Sequence, residues 1–246
     1  MNKEIMYKNH KIVFHNLLQT GTNMDKCIIE GTAYQRPDHQ FDDILKFLKP
    51  NSVVYDIGSY IGTYAIPMAL EGMDVIAFEG FPDNYERNKI NTTPYNNITL
   101  LPIAVSNKNE TAFTRFNDCT DGLPVPRNIT YVRLDDYITE HNLKNPDLIK
   151  LDIEGMETVA LFGMTNLLEN VRPIWQIGYH PDMEEKYEHY PGFVKTEDGG
   201  FDFSRFARDL NYRVFDQFGR RCETFTMFSE YICIPEEKIK KRPPRD

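Results

Sequence analysis

The stretch from Val53 to Leu70 reads VVYDIGSYIGTYAIPMAL: an apolar run, an acid, two glycines four residues apart, and then a helix-period segment. A short apolar run ending at Asp56 and Ile57 is a buried strand, and Thr63 to Glu71 continues as a helix. Gly58 and Gly62 let the backbone turn tightly between them and approach a ligand, while the helix N-terminus offers N–H groups to carboxylate or polar groups. The turn is therefore a cradle. A dinucleotide cradle is written G-x-G-x-x-G, whereas this one is D-x-G-x-x-x-G, with an acid where the first glycine belongs. That spacing disfavours a nicotinamide-dependent oxidoreductase.

Outward from this turn, short apolar runs alternate with helix-period segments, the pattern of βαβ units feeding a parallel sheet. Strands are expected at Val53–Ile57, Val75–Phe78, Ile98–Val105, Leu148–Leu151, Ile174–Ile177, Tyr212–Asp216 and Tyr231–Ile234. Helices are expected at Thr63–Glu71, Pro82–Ile90, Leu134–His141, from Met156 onward, and at Phe203–Leu210. Between Thr111 and Val132 the helical period is lost and Gly122, Pro124 and Pro126 intervene, which reads as a hairpin or extended excursion with a loop over a ligand. The fold class is α/β: a Rossmann-like, doubly wound, seven-stranded sheet, mostly parallel, with its last strand antiparallel because a short connection joins the terminal pair. Residues 1–45 read as a small lid or extra strands, and 46–246 as the main domain.

The second strand ends in Ala77-Phe78-Glu79, and Glu79 stands 23 residues after Asp56. A carboxylate at about that offset, roughly 20 residues, reaches a ribose diol in this architecture. Composition narrows the partners further. The 246 residues carry a net charge of -9, which argues against a nucleic-acid acceptor, since phosphate binding relies on clustered Lys and Arg. The basic run from Lys238 to Arg245 reads as a solvated tail. The four cysteines, Cys27, Cys119, Cys222 and Cys233, are far apart and make no zinc spacing, which suits reduced thiols in a cytoplasmic protein. No stretch reads as a membrane span or an export signal. Oligomeric state is left open; the first 45 residues and the loop after His180 are places where a partner chain could dock.

Four segments in order carry a family resemblance: DIGSYIGTYA at Asp56, AFEGFPDNYERNKIN at Ala77, IAVSN at Ile103 and DLIKLDIEGMETVALFG at Asp147. The chain resembles the FkbM-like branch of the class I methyltransferases, most specifically in the Asp-x-Glu-Gly-x-Glu run from Asp152 to Glu157. The resemblance implies S-adenosylmethionine as cofactor and O-methylation of carbohydrate or natural-product hydroxyls. Carried over by position, Asp56, Gly58, Ser59, Tyr60 and Gly62 cradle the methionine part and Glu79 binds the ribose. Gly80 and Phe81 line the adenine side, Ala104 and Val105 lie beneath the ring, and Asp152 sits beside the amino group or the sulfonium. The family usually has Asn at the position of Tyr60.

Methyl transfer to a hydroxyl is an in-line displacement, so positioning is the protein's main contribution. A sugar hydroxyl still holds its proton near neutral pH, and a base or a metal must take up the developing charge. Asp152 and Glu154 at the end of the fourth strand, and His180 at the end of the fifth, are the catalytic candidates, with Glu157 read as structural. Asp152, Glu154 and His180 also carry donors that suit a divalent ion, but the metal-free reading is preferred. Of the aromatic residues Tyr60, Tyr64, Phe116, Trp175, Tyr179 and Phe193, Tyr60 and Tyr179 fall at expected cleft edges. The leading function is O-methylation of a glycan-bound or nucleotide-linked sugar. The alternatives are a non-sugar hydroxyl or amine acceptor, and a non-catalytic cofactor-binding module.

Overall fold

A computed structural model describes residues 1–19, 23–34, 44–114, 127–179, 203–216, 218–222 and 229–239. The chain opens with an antiparallel hairpin, β1 (Lys3–Tyr7) and β2 (His10–Phe14), followed by α1 (Asn23–Glu30). The strand that precedes the glycine turn, β3 (Val53–Ile57), is buried at every position, as expected of a parallel strand covered on both faces. It pairs in parallel with β4 (Asp74–Phe78) on one side and β9 (Leu148–Leu151) on the other. Beyond β4 lies β5 (Ile98–Leu101), and beyond β9 lies β10 (Ile174–Tyr179), both parallel to their neighbours.

The single strand expected from Ile98 to Val105 is two strands in two sheets. Pro102 offers no N–H to a ladder, β5 stops at Leu101, and β6 (Ala104–Val105) joins a separate three-stranded sheet. In that sheet β6 runs parallel to β8 (Arg127–Val132), which pairs antiparallel with β7 (Glu110–Thr114). The excursion after Thr111 is thus an antiparallel pair, and its expected loop lies outside the described residues.

The sheet also carries one strand more than the seven expected. Residues Arg221–Cys222 form β12, which pairs with β11 (Tyr212–Asp216) across a turn at Gly219, where φ is +73°. The last strand, β13 (Ser229–Pro235), is antiparallel as expected, and it lies between β10 and β11. The full order is β12-β11-β13-β10-β9-β3-β4-β5.

Helices α2 (Ala65–Leu70), α3 (Pro82–Thr92), α4 (Leu134–Glu140), α5 (Glu157–Phe162), α6 (Phe203–Asp209) and the short α7 (Glu236–Ile239) connect or follow these strands. Two apolar clusters form, one on each face of the sheet. One joins Val54, Val75 and Leu148 to Ala65, Ile66 and Met68, and extends without a break into Ile12, Phe14 and Ile28 of the N-terminal segment. The other packs Tyr55, Phe78, Leu161, Trp175 and Tyr212. No helix among the described residues is long and apolar enough to cross a membrane.

Candidate active site

The turn after β3 has a backbone that few side chains tolerate. Gly58 has φ +80°, and a Cβ there would come 2.0 Å from the Asp152 carbonyl oxygen, so the approach of this turn to β9 requires glycine. Tyr60 has φ +53°, in the left-handed region where Asn is more at ease than a large aromatic residue. Its strained backbone is put to use: the Tyr60 N–H donates to Glu79 Oε2 at 2.8 Å. The Phe81 N–H donates to Glu79 Oε1 at 2.9 Å, so the carboxylate at the end of β4 is fixed by one backbone donor on each oxygen. A Cβ on Gly80 would lie 2.5 Å from the Ala104 Cβ, which brings the chain after β4 hard against β6.

The N-terminal segment is tied to this turn by a buried ionic cluster. Asp25 on α1 is fully buried and accepts hydrogen bonds from the Tyr60 hydroxyl and from Arg87 Nη2, the latter at 2.6 Å. The Arg87 guanidinium also lies 5.2 Å from the Tyr60 ring centroid. As a result α1 lies over the turn, and its residues Asn23, Met24 and Lys26 contribute to the wall of a cavity.

That cavity has a volume of about 620 Å³, in the range of small-molecule and cofactor sites. Eight of the residues expected to hold the cofactor line it: Gly58, Tyr60, Glu79, Gly80, Phe81, Ala104, Val105 and Asp152. Glu154 lines it as well. Asp56, Ser59 and Gly62 are buried behind the wall, where the Ser59 hydroxyl accepts from Asn88 Nδ2 at 3.0 Å. His180 lies outside the described residues, as do Phe116 and Phe193. Of the two aromatics expected at the cleft edge, Tyr60 is on the wall, whereas Tyr179, at the end of β10, is not; Tyr64 lines the cavity instead. Trp175 is core, 1% exposed.

Beneath the cavity lies a group of charged residues. Lys150, buried in the middle of β9, places Nζ 3.5 Å from Asp56 Oδ1 and 3.6 Å from Asp152 Oδ2, and donates to the Gly58 carbonyl at 3.2 Å. Nζ also stands 4.8 Å from the Tyr64 ring centroid. Burial works against the ammonium, but Asp152, Asp56 and Glu230 outweigh it and raise its pKa. Glu230 on β13 accepts from Gln176 Nε2 at 2.5 Å and from the Tyr64 hydroxyl at 3.3 Å. Burial pushes its carboxyl up to about 7, and Asp152 adds to the effect.

Glu157 is structural. It is fully buried, and its two oxygens accept the N–H groups of Ile153 and Gly155, each at 2.9 Å. It thereby holds the tight loop in which Glu154 has φ +56° and Gly155 φ +99°. Among the described residues no three His, Cys, Asp or Glu side chains converge on a metal-binding arrangement.

The sequence motifs leave Lys150, Glu230, Gln176, Asn84, Asp25 and Arg87 unmarked, and Tyr64, expected away from the cleft edge, lines the cavity. Lys150 had a signal, a lysine inside the four-residue apolar strand LIKL, where an unpaired charge would be costly. Asn84, on the cavity wall with a buried Oδ1 that has no hydrogen-bond partner among the described residues, had none.

A doubly wound sheet of this order, with an acid-and-glycine turn and a fixed carboxylate on the neighbouring strand, defines the Rossmann-like methyltransferase class. Residues 56–214 match the methyltransferase FkbM domain, and the chain belongs to that family of S-adenosylmethionine-dependent methyltransferases. It is 26% identical over 140 residues to the hexuronic acid methyltransferase AglP of Haloferax volcanii, a match covering 52% of this chain and 56% of AglP. The matched region thus spans little more than half of that relative. Among solved structures, the methyltransferase FkbM of Methylobacillus flagellatus superposes with a TM-score of 0.50 at 17% identity, covering 88% of this chain and 56% of the other. The precorrin-6y C5,15-methyltransferase of Geobacter metallireducens gives a TM-score of 0.46 at 13% identity, covering 80% and 87%.

Proposed function

We propose that this chain transfers the methyl group of S-adenosylmethionine to a hydroxyl of a sugar. The observation that carries the reading is Glu79: it lines a cavity of cofactor size, and a backbone N–H on each oxygen fixes its carboxylate at the end of β4, where a ribose diol can reach it. Gly80, Phe81, Ile103, Ala104, Val105 and Ile129 supply the surface for adenine, and Asn84 Oδ1 in the same wall, without a partner among the described residues, offers an acceptor to a ligand donor. Gly58, Tyr60 and Asp152 hold the methionine part, with Asp56 and Lys150 fixing the turn from behind. When bound, S-adenosylmethionine supplies an electrophilic methyl group on a sulfonium.

The chain's own residues then position the acceptor. Asp152 and Glu154, on the loop that Glu157 braces, offer carboxylates to its hydroxyls. The segment before residue 46 serves as a lid, since α1 forms part of the wall. A sugar acceptor is supported by the likeness to a methyltransferase named for hexuronic acid. Action in the cytoplasm fits Cys27, Cys222 and Cys233, which form no disulfide among the described residues.

Calorimetric titration with S-adenosylmethionine, S-adenosylhomocysteine and reduced nicotinamide cofactor in parallel tests the first half. Binding of the first two alone is expected, and Glu79→Ala should weaken it by about 1–3 kcal/mol through loss of charge-assisted bonds. Binding of neither sinks the reading. Labelled-methyl transfer to methyl glycosides of hexoses and hexuronic acids tests the second half. Cofactor binding without turnover on any sugar would point to another acceptor or to a binding module.

A further inference from the structure

The face of the sheet beneath α2 gathers ionisable side chains, and one of them, Glu230, has no part in the cofactor wall. Asp56, Lys150 and Gln176 are register partners on β3, β9 and β10, so their side chains leave the same face. Asp152 follows Lys150 by two residues, and Glu230 precedes by two the Ile232 that pairs with Gln176, so both share that face. Among the described residues, the carboxylates of Asp56, Asp152 and Glu230 therefore gather around the Lys150 ammonium, and carboxylate is in excess. Tyr64 connects this group to the cavity: it lines the cavity, its ring faces Lys150 Nζ, and its hydroxyl lies 3.3 Å from Glu230 Oε1.

Resting on the reading that a sulfonium cofactor binds here, we propose that Glu230 is a proton store coupled to the charge in the cavity, releasing a proton when a cation enters and taking one up when that charge is lost, with Tyr64 as the link. Glu230 does not line the cavity, so it is a positioning residue that acts through Tyr64. Among the described residues, the groups that face it include Tyr64 from the turn before α2, Lys150 from β9 and Asp152 just after it, Gln176 from β10, and Asp56 through Lys150. Burial and Asp152 favour its neutral form, whereas Lys150, Gln176 and Tyr64 favour the ionised one, and together they leave it near 7. A cation in the cavity tips this balance toward the carboxylate. The proton lost by an acceptor hydroxyl then has a destination: it passes to the Tyr64 oxygen as the Tyr64 proton passes to Glu230 Oε1. With a sulfonium donor bound, the electron pair left on the acceptor oxygen would form the new oxygen–carbon bond while the methyl–sulfur bond breaks and its pair stays on sulfur, leaving the uncharged thioether.

S-adenosylmethionine and S-adenosylhomocysteine differ by one positive charge at sulfur, so the test needs no acceptor. Titration calorimetry at pH 7, in two buffers of different ionisation enthalpy, measures protons released on binding each. For the wild-type chain, S-adenosylmethionine should release about 0.3–0.5 proton more than the homocysteine, and the ratio of their affinities should rise about 3- to 10-fold from pH 6 to pH 8. Glu230→Gln should abolish both effects while still binding both ligands. Tyr64→Phe keeps the carboxylate but removes a bond that favours ionisation, so proton release should move to higher pH. Wild-type binding of both ligands with no extra proton overturns the store alone, as does a wild-type proton excess in Glu230→Gln. If Glu230→Gln does not fold, an unshifted release in Tyr64→Phe overturns it. Wild-type binding of neither ligand removes the cofactor reading, and the store with it.

Discussion

The two sides of the cavity are built in opposite ways. The cofactor wall, from Gly58 through Glu79 to Ala104, is made chiefly of backbone: glycines that let strands approach, and N–H groups that hold one carboxylate. The floor, with the layer beneath it, is made of side chains that meet from β3, β9, β10 and β13: Asp56, Lys150, Gln176 and Glu230 each come from a different strand, and Lys150 reaches the cavity. The wall is specified by short local runs and tolerates no added volume. The floor is specified by register and depends on charge balance.

The largest expected effect tests the rigidity of the wall. Gly58→Ala adds a Cβ at a positive φ against the Asp152 carbonyl, and chemical denaturation should show a loss of about 4 kcal/mol or more. A loss below about 1 kcal/mol would mean that the wall yields, and the contrast would fail. Lys150→Met tests the floor by leaving Asp56, Asp152 and Glu230 without their cation. The expected loss is about 3 kcal/mol at pH 8, shrinking toward pH 5 as Glu230 protonates. Equal losses at both pH values would assign the role of Lys150 to packing on Tyr64.

Glu230→Gln probes the same balance from the other side. Because folding raises this carboxyl from 4.5 to about 7, the fold loses stability as pH rises through that interval. The substitution should therefore stabilise the unliganded protein by about 2 kcal/mol at pH 8 and have little effect near pH 4, as read from thermal unfolding. A pH-independent difference would remove charge from the explanation. The smallest effect concerns the lid. Tyr60→Phe deletes the hydroxyl that Asp25 and Arg87 share but leaves their ion pair, and should cost about 1 kcal/mol. Hydrogen exchange should quicken in α1; unchanged protection there would separate α1 from the turn.

The same contrast explains what could be read in the sequence. Asp56, Gly58 and Glu79 stand in runs where strand, turn and helix signals follow one another within a few residues, so β3, α2 and β4 were legible with their ends nearly in place. Pro102 was visible too, and its missing N–H marks where β5 leaves the sheet. Lys150 stood in a quoted run, but its meaning depends on Asp56, 94 residues earlier, and Gln176, 26 later, lying on either side of it. Glu230 in SEYICIP looks like any polar position of an alternating strand until β13 is known to lie next to β10. Tyr60 concealed its conformation, since nothing local marks a tyrosine for positive φ; its contacts with Glu79, Asp25 and Arg87 hold it there.

The position of β13 also has a consequence for how the molecule is made. Among the described residues of the sheet, β11 and β12 are hydrogen-bonded to the remaining strands through β13 alone, and β13 leaves the ribosome after all of them. Until it slots between β10 and β11, both present open edges of the kind that recruit other chains. A nascent chain stalled before Ser229 would carry a finished glycine turn but no Glu230 beneath it. Such a chain would be prone to aggregate through those two edges, so the interval before β13 emerges is a vulnerable one for the protein.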